Sequence, residues 1–392
     1  MQYSKRYQMK NNENNIIGYI EGYYGRLLSW KNRKLIIQSL YKNNMNTYFY
    51  APKEDVCHRL RWRKEYSKKW RNNFRDFIQF SKKSDVNVIV GIAPGLDFNF
   101  NELSHISKNH HNSDFELLFK KAKQLLEDGA TSIALMLDDI PNNFKKKFGF
   151  DVSEGSYHGI LANKLSNELG QNIFFVPRVY ADELISDDPA YLQDLSKTLN
   201  PKIKVFYCGK NVVAKTYKNY QKIKKILSND IIFWDNFYAN DYCPRRLFIG
   251  PTLGRENVKN IMVNPTGLIK TDLLVLDIFG KSIVGRLSKR EWEKILNIHN
   301  IPDAFLKIKK YFLKPDFGLN PSTQSLKIKM EDIENLDFLL WKWNSELSRE
   351  WYAYLFGLKQ DLQLNQKLLT SERIIKSQTI PLSEFLNKGE FK

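Results

Sequence analysis

The chain has 392 residues, 42% of them apolar and 14% aromatic, a globular composition that excludes an intrinsically disordered protein. Residues 1–15 contain no apolar signal segment, and no stretch approaches the roughly 18 apolar residues of a membrane span, so we expect no membrane association. Lysine and arginine outnumber the acidic residues by 61 to 43, and the formal charge of +18 brings acidic partners into consideration.

The cysteines indicate a reducing compartment. Cys57, Cys208 and Cys243 are widely spaced and odd in number. This pattern matches neither a disulfide framework nor a zinc site. We therefore expect a cytoplasmic protein without a metal site.

Eight short apolar runs follow one another from residue 16 onward, at intervals of roughly 30 to 45 residues. Such runs, bounded by polar or breaker residues, are typical of strands buried on both faces of a parallel sheet. They are IIGYI (16–20), NTYFY (46–50), VNVIVGI (86–92), SIALMLD (132–138), NIFFVP (172–177), IKVFYC (203–208), IIFWDN (231–236) and NIMVN (260–264).

Amphipathic segments lie between the runs. In 114–128 the apolar residues recur at spacings of three and four, as in a helix that covers a sheet. Ser29, and either Ser153 or Ser156, are predicted helix N-caps. Eight strand–helix repeats over about 250 residues predict a (β/α)8 barrel, although a doubly wound open sheet would also alternate.

Beyond the eighth run the pattern is helical. The predicted organisation is a tail at 1–15, a catalytic barrel at 16–270 and a C-terminal helical region at 271–392. The helical region carries an apolar stripe that we interpret as helix–helix core, and an exposed part of it would offer a homodimer contact. The stripe consists of Leu340, Trp343, Leu347, Trp351, Leu355, Leu358 and Leu362.

The fourth run ends in two carboxylates, in the segment TSIALMLDDIP (131–141). Because a parallel barrel gathers its chemistry at the carboxyl ends of its strands, Asp138 and Asp139 are candidate catalytic residues. No buried strand leads into a second doublet, Asp187–Asp188, which we interpret as a turn or helix cap before PAYLQDL.

Polar residues follow the other predicted strands. Carboxylates, amides, a lysine and tyrosines around one mouth describe a pocket for a hydroxyl-rich ligand. These residues are Gly22, Tyr24, Lys53, Tyr180, Cys208, Asn236, Asp241 and Asn264.

The carboxylate pair indicates glycoside hydrolysis. Two adjacent carboxylates repel, so the less solvated one should keep a proton near neutral pH while the other is ionised. Glycoside hydrolysis needs such an acid beside an acceptor. Neighbouring residues cannot flank a sugar from opposite sides, so we infer that the substrate supplies its own nucleophile.

Six ordered segments make residues 16–270 resemble the catalytic domain of glycoside hydrolase family eighty-four, the family of O-GlcNAcases and bacterial β-N-acetylglucosaminidases. These segments are GYIEGYYGRLLSW (18–30), NTYFYAPKEDVCHRLRWRKEY (46–66), IAPGLDF (92–98), LMLDDI (135–140), FWDNFYANDY (233–242) and VNPT (263–266).

The resemblance implies a retaining exo-β-N-acetylglucosaminidase that needs no metal or organic cofactor. Its substrate would be an N-acetylglucosamine-bearing glycoconjugate or glycan, whose acetamide oxygen attacks the anomeric carbon to give an oxazoline. Asp138 would accept the acetamide N–H, and Asp139 would be the general acid and then the base. An intramolecular nucleophile can lower the barrier by about 7–11 kcal/mol.

The resemblance also implies a sugar-binding set. Tyr180 would bond near the acetamide oxygen, Trp234 would line the acetyl pocket, and Tyr24 lies at the same mouth. Cys208 stands where some relatives carry Thr, and Leu27, Leu28, Tyr23, Arg178 and Val179 also depart from the pattern. The groups that would hold the sugar hydroxyls are Lys53, Asn236, Asp241, Asn264 and the backbone of Gly22.

Two other functions fit parts of the sequence. One is a catalytically silent barrel that binds carbohydrate or peptide. The other is a nucleic-acid binder, for which segment 58–71 interleaves seven basic residues with aromatic ones. We favour a solvated surface for this segment, with Arg61, Trp62, Arg63 and Tyr66 partly structural, so nucleic acid is not the expected partner. A positive rim would still attract an anionic aglycone.

Overall fold

The structure, a computed structural model, describes residues 15–103, 113–149, 153–242, 246–313, 328–366 and 368. The predicted N-terminal tail, apart from Asn15, and Cys243 lie outside the described residues. The chain divides into two compact units, Met1–Asp241 with Pro251–Ile295 and Tyr242–Gly250 with Leu296–Lys392.

The first unit is a closed barrel of eight parallel strands, each paired with its neighbours in sequence order. This confirms the predicted (β/α)8 fold. Seven of the predicted runs contain the observed strand, and the first strand is displaced by one residue to include Glu21. The strands are β1 Ile17–Glu21, β2 Thr47–Tyr50, β3 Asn87–Ile92, β4 Ser132–Met136, β5 Phe174–Val176, β6 Lys204–Tyr207, β7 Ile231–Asp235 and β8 Ile261–Val263.

Helices connect the first six strands and follow the last one. Ser29 and Ser153 are N-caps, because their hydroxyls accept the backbone N–H of Asn32 and Ser156. The helices are α1 Trp30–Lys42, α2 Lys68–Lys83, α3 Asp114–Glu127, α4 Phe144–Phe148, α5 Glu154–Leu169, α6 Tyr191–Thr198, α7 Ile269–Ile283, α8 Lys289–Ile298, α9 Asp303–Ile308, α10 Met330–Trp341 and α11 Glu346–Asn365.

The predicted alternation is incomplete after β6. The described residues between β6 and β7 contain one short 3-10 helix, Ile223–Lys225, and those between β7 and β8 contain no helix. The buried guanidinium of Arg255 contacts both of these connections. It donates to the carbonyl oxygens of Ala214, Lys215 and Leu253, so these buried acceptors have partners without a helix.

Alternate residues of the strands fill the barrel. A side chain on each strand points inward at every second position, and these side chains pack in layers across the centre. The inward set includes Ile20, Phe49, Ile89, Ala134, Met136, Val176, Phe206, Ile232, Trp234 and Met262.

Much of the basic segment 58–71 is exposed, as the predicted solvated surface requires, and Trp62, Arg63 and Tyr66 are structural as predicted, whereas Arg61 is exposed. The Trp62 ring is buried and its N–H donates to Asp97 Oδ1 at 2.7 Å. Arg63 forms ion pairs with Asp97 and Asp114. These contacts fix the connection between β2 and α2.

In the second unit, α10 and α11 bury most of the predicted apolar stripe. Trp343, Leu347, Trp351, Leu355 and Leu362 are buried, and the rings of Trp343 and Trp351 meet edge to face. The interpretation of the stripe as helix–helix core is therefore confirmed. The predicted homodimer contact stays a prediction.

Among the described residues, no helix combines the length and hydropathy needed to cross a membrane. Cys57 and Cys208 are free thiols. The predicted cytoplasmic location stays a prediction.

Two buried ion pairs hold the carboxyl ends of β1 and β7. Glu21 accepts two bonds from Arg33, at 2.8 and 2.7 Å. Asp235 accepts two from Arg255, at 2.9 and 3.0 Å, and neither of these side chains is exposed. Because each carboxylate binds a planar guanidinium through two parallel bonds, the strand end beside it has little freedom to rotate.

We expect Arg255→Met to lower the free energy of unfolding by about 3–5 kcal/mol, because it leaves Asp235 buried and unpaired. Urea denaturation would measure the change. Lys259→Met, at an exposed position four residues away, is the matched control and should change stability by no more than about 0.5 kcal/mol. Equal losses in the two variants would contradict the role of the ion pair.

Candidate active site

The predicted site residues lie together at the carboxyl ends of the strands. Inward-facing positions continue past the strand ends at every second residue, so Ala134 and Met136 in β4 are followed by Asp138. The same alternation from the inward residues of the other strands brings most of the remaining candidates into the mouth. They are Gly22 after β1, Lys53 after β2, Cys208 after β6, Trp234 and Asn236 at the end of β7, and Asn264 after β8.

Lys53 joins the two candidate catalytic carboxylates. Its side chain is 3% exposed, and its ammonium group donates a hydrogen bond to Asp138 Oδ2 and lies 3.5 Å from Asp139 Oδ2. Lys53 is thus not the surface charge that its residue type alone would indicate. The other oxygen of Asp138, Oδ1, is buried and has no hydrogen-bond partner among the described residues. A buried acceptor without a donor is costly, so a ligand that donates a hydrogen bond to this oxygen would gain stability.

Asp139 reaches the same mouth because its backbone has a positive φ of 51°. In an extended chain the residue after Asp138 would point the opposite way. The left-handed conformation re-aims the side chain, at a cost of roughly 1–2 kcal/mol for a residue other than glycine. Strain of this kind is concentrated at functional sites.

Two tyrosine hydroxyls hold the Asp139 carboxylate. Tyr180 donates to Oδ1 at 2.8 Å and Tyr24 donates to Oδ2 at 2.9 Å. Tyr180 therefore lies at the candidate site, and its backbone carbonyl accepts the N–H of Cys208 at 2.7 Å.

The charge of Lys53 dominates the electrostatics of the pair. Burial by itself would raise the pKa of Asp139, but Lys53 and the hydroxyls of Tyr180 and Tyr24 bring that pKa below its usual value. Burial would lower the pKa of Lys53, but the two carboxylates raise it above its usual value. Asp139, the more exposed of the two carboxylates, is therefore ionised in the free protein, and the prediction that the less solvated one keeps a proton stays a prediction.

A chain of hydrogen bonds between side-chain amides forms the opposite wall of the mouth. Asn236 Oδ1 accepts from the Trp234 ring N–H and from Asn264 Nδ2, both at 2.9 Å. Asn264 Oδ1 in turn accepts the backbone N–H of Gly22 at 3.2 Å. Each amide is therefore fixed in orientation by its neighbours.

The last two candidates also lie in this region. Cys208 is buried, and its sulfur is 3.5 Å from Asn236 Nδ2. Asp241 accepts the backbone N–H of Tyr24 at 2.8 Å. The structure thus brings all of the predicted site residues together. No group of three or more His, Cys, Asp or Glu side chains among the described residues could hold a metal ion.

Residues 17–276 match the family profile described as beta-N-acetylglucosaminidase. The chain belongs to this family. The barrel of this β-N-acetylglucosaminidase family member is therefore a glycoside hydrolase domain, and the resemblance seen in the sequence is confirmed.

Individual relatives share part of their length with the chain. Protein O-GlcNAcase from Rattus norvegicus and from Mus musculus are each 31% identical to it over 264 residues, which is 64% of this chain. The chain matches 28% of the length of either relative. A solved mutant of the Thermobaculum terrenum O-GlcNAc hydrolase shares the fold, with a TM-score of 0.71 and 22% identity over 88% of this chain and 82% of that one.

Arg59 is a further residue at the candidate site, and its place in the sequence does not single it out. Its guanidinium donates to the backbone carbonyl of Asp139 at 2.7 Å and to the Tyr24 hydroxyl at 2.6 Å. Arg59 lies in a segment rich in basic residues, and the pattern of that segment predicts surface charge and not a site residue. The useful signal is its distance of six residues from Lys53, which places both on one loop at the mouth.

Arg178, one of the departures near Tyr180, lies in a buried network. Arg178 is bonded to Glu154 in α5 and to Asp188, each at 2.7 Å. The second aspartate doublet therefore anchors the end of β5 through Asp188. The prediction of a simple turn or cap missed this contact.

We expect Gly22→Ala to destabilise the barrel, because a Cβ at this position would lie 2.4 Å from the Trp234 ring. Displacing that ring from its packing should lower the free energy of unfolding by about 1–3 kcal/mol and change the near-ultraviolet circular dichroism. Gly25→Ala is the control on the same loop, since its Cβ would meet no atom closer than 3.5 Å. Identical stability and spectra for the two variants would exclude a steric role for Gly22.

Proposed function

We propose that the protein is a retaining exo-β-N-acetylglucosaminidase, which releases terminal β-linked N-acetylglucosamine by substrate-assisted catalysis through an oxazoline. The observation that carries the proposal is the buried, unpartnered Oδ1 of Asp138 beside the carboxylate of Asp139. Asp138 Oδ1 can accept a hydrogen bond from a substrate, and the Asp139 carboxylate lies beside it at the same mouth.

Asp138 would receive the acetamide N–H of the sugar on Oδ1. Because Lys53 holds Oδ2, the carboxylate keeps a fixed orientation and its negative charge polarises the amide. The acetamide oxygen then becomes a better nucleophile and attacks the anomeric carbon of the same molecule. Consecutive residues are poorly placed for the conventional two-carboxylate arrangement, in which the groups face each other about 5–5.5 Å apart across the sugar.

Asp139 would donate a proton to the departing oxygen and then remove one from water. The lowered pKa keeps Asp139 ionised in the free protein near neutral pH. The acid form must therefore arise in the complex, where the sugar excludes water and the added burial raises the pKa of Asp139 from its lowered value. Tyr180, whose hydroxyl bonds Asp139 in the free protein, would turn to the acetamide oxygen.

The remaining candidates would bind the sugar. Trp234 and Cys208 would line the acetyl pocket, while Lys53, Asn236, Asn264 and the backbone of Gly22 would hold the hydroxyls. Asp241 would also hold a sugar hydroxyl, and its hydrogen bond with the Tyr24 backbone places it near the mouth.

The natural substrate would be a cytoplasmic N-acetylglucosamine-bearing glycoconjugate. The formal charge of +18 favours an anionic aglycone, because a positive surface raises the local concentration of negative ligands. O-GlcNAc-modified protein is one substrate of this class, in keeping with the names of the mammalian relatives.

We expect Asp139→Asn to reduce kcat/KM on phenyl β-N-acetylglucosaminide by about 10²–10⁴-fold, the usual contribution of a general acid. Dinitrophenyl β-N-acetylglucosaminide should suffer a much smaller loss, because its leaving group departs without a proton. Asp187→Asn, the same change in the other doublet at an exposed position, is the control and should leave both rates unchanged. An unaltered rate on the phenyl substrate would exclude Asp139 as the acid.

We expect Asp138→Asn to behave differently. Asp138 would activate the acetamide oxygen as the nucleophile whichever leaving group departs. The value of kcat/KM should therefore fall by about 10²–10³-fold on both substrates. Affinity for a thiazoline that mimics the oxazoline should fall by at least about tenfold, measured by calorimetry. Unchanged thiazoline affinity would contradict the assignment of Oδ1 to the acetamide N–H.

A further inference from the structure

Arg59, on the loop after β2, forms a closed ring of hydrogen bonds with Asp139 and Tyr24. One guanidinium nitrogen donates to the Asp139 carbonyl and another to the Tyr24 oxygen, while the Tyr24 hydroxyl donates to Asp139 Oδ2. Arg59 therefore holds Asp139 at two places, directly through the backbone and indirectly through the carboxylate.

The chemistry of the ring requires a guanidinium. Arginine has several donors in a planar fork and no acceptor, so it can reach both oxygens at once. Because the Tyr24 oxygen accepts from Arg59, the single Tyr24 proton is free to point at Asp139. The direction of the Tyr24 hydroxyl is thereby fixed. A lysine, with its charge at one point, would satisfy fewer of these contacts.

The backbone contact falls on the strained residue. Asp139 has a positive φ of 51°, and this conformation brings its side chain into the mouth beside Asp138. A hydrogen bond from a charged donor to the Asp139 carbonyl resists relaxation to an extended backbone, in which the carboxylate would leave the mouth.

We propose that Arg59 is a positioning residue that holds the general acid Asp139 in the geometry for protonating the leaving group. The inference rests on the proposed function, in which Asp139 is the acid. The neighbouring basic residues do not share this role. Arg63 pairs with Asp97 and Asp114, and Arg61 is exposed.

The first test compares leaving groups. Arg59→Met should lower kcat/KM on phenyl β-N-acetylglucosaminide by about tenfold, a part of the usual contribution of an acid, and by less than about twofold on the dinitrophenyl substrate. Arg59→Lys should show an intermediate loss on the phenyl substrate. Arg61→Met, two residues away, is the matched control and should retain both rates. Circular dichroism would verify that each variant is folded.

The second test uses the pH profile of kcat/KM. The positive charge of Arg59 is one cause that lowers the pKa of Asp139. One limb of the profile should report the ionisation of Asp139 and should disappear in Asp139→Asn. Arg59→Met should therefore move this limb to higher pH, and Arg59→Lys should move it back toward its original position. A purely structural residue would leave this limb in place.

A third variant tests the connection through the hydroxyl. Tyr24→Phe removes the link between Arg59 and the Asp139 carboxylate. If the two residues act together, the loss in the double variant Tyr24→Phe, Arg59→Met should be smaller than the product of the single losses.

The outcomes separate this inference from the proposed function. Equal losses on the two substrates with an unmoved limb, or losses no larger than those of Arg61→Met, overturn the positioning role while the hydrolase stands. Absence of turnover by the unmodified protein, or a full rate for Asp139→Asn on the phenyl substrate, overturns both.

Discussion

The site depends on a backbone constraint at one residue. Side chains alternate along an extended chain, so two consecutive aspartates cannot both face the inside of a barrel unless the chain turns between them. Asp138 follows the inward alternation of β4, whereas Asp139 reaches the mouth through a positive φ. An ideal strand end would present one carboxylate to the ligand and the other to the surrounding loops. Contacts from three separate loops, through Arg59, Tyr24 and Tyr180, keep the strained arrangement in place.

A buried cation makes the pair of carboxylates tolerable. Two negative groups on neighbouring residues in a partly desolvated mouth would repel strongly. Lys53 offsets this repulsion by contacting both, and its burial makes the attraction stronger than it would be in water. The arrangement also orients the site, because Lys53 occupies one oxygen of Asp138 and leaves the other unbonded. Lys53 therefore both reduces the repulsion between the carboxylates and leaves Asp138 Oδ1 available to a ligand.

Much of this could be predicted from the sequence, and the parts that could not have a physical reason. Apolar runs located all eight strands, because strands buried on both faces have an unmistakable composition. Their ends indicated the site residues that follow the inward alternation.

The positive φ at Asp139 leaves no such signal, because Asp adopts that conformation only in particular surroundings. Arg59 was hidden for a similar reason: its partners are 35 and 80 residues away along the chain. The non-helical connection between β6 and β7 likewise makes long-range contacts, because Arg255 donates to carbonyl oxygens 40 and 41 residues away.

The strand ends are held from outside the barrel while the ligand groups face inward. Glu21 precedes Gly22 and is bonded to Arg33, and Asp235 stands between Trp234 and Asn236 and is bonded to Arg255. Since neighbouring residues point to opposite sides, an outward ion pair can fix a strand end without entering the mouth. Arg178 extends the device to β5, where Glu154 and Asp188 bind it two residues before Tyr180. Arg178 is one of the positions that depart from the family pattern, and its buried ion pairs hold the strand end from which the Tyr180 hydroxyl reaches Asp139. Because both partners of Arg178 lie outside the barrel, they fix this strand end without entering the mouth.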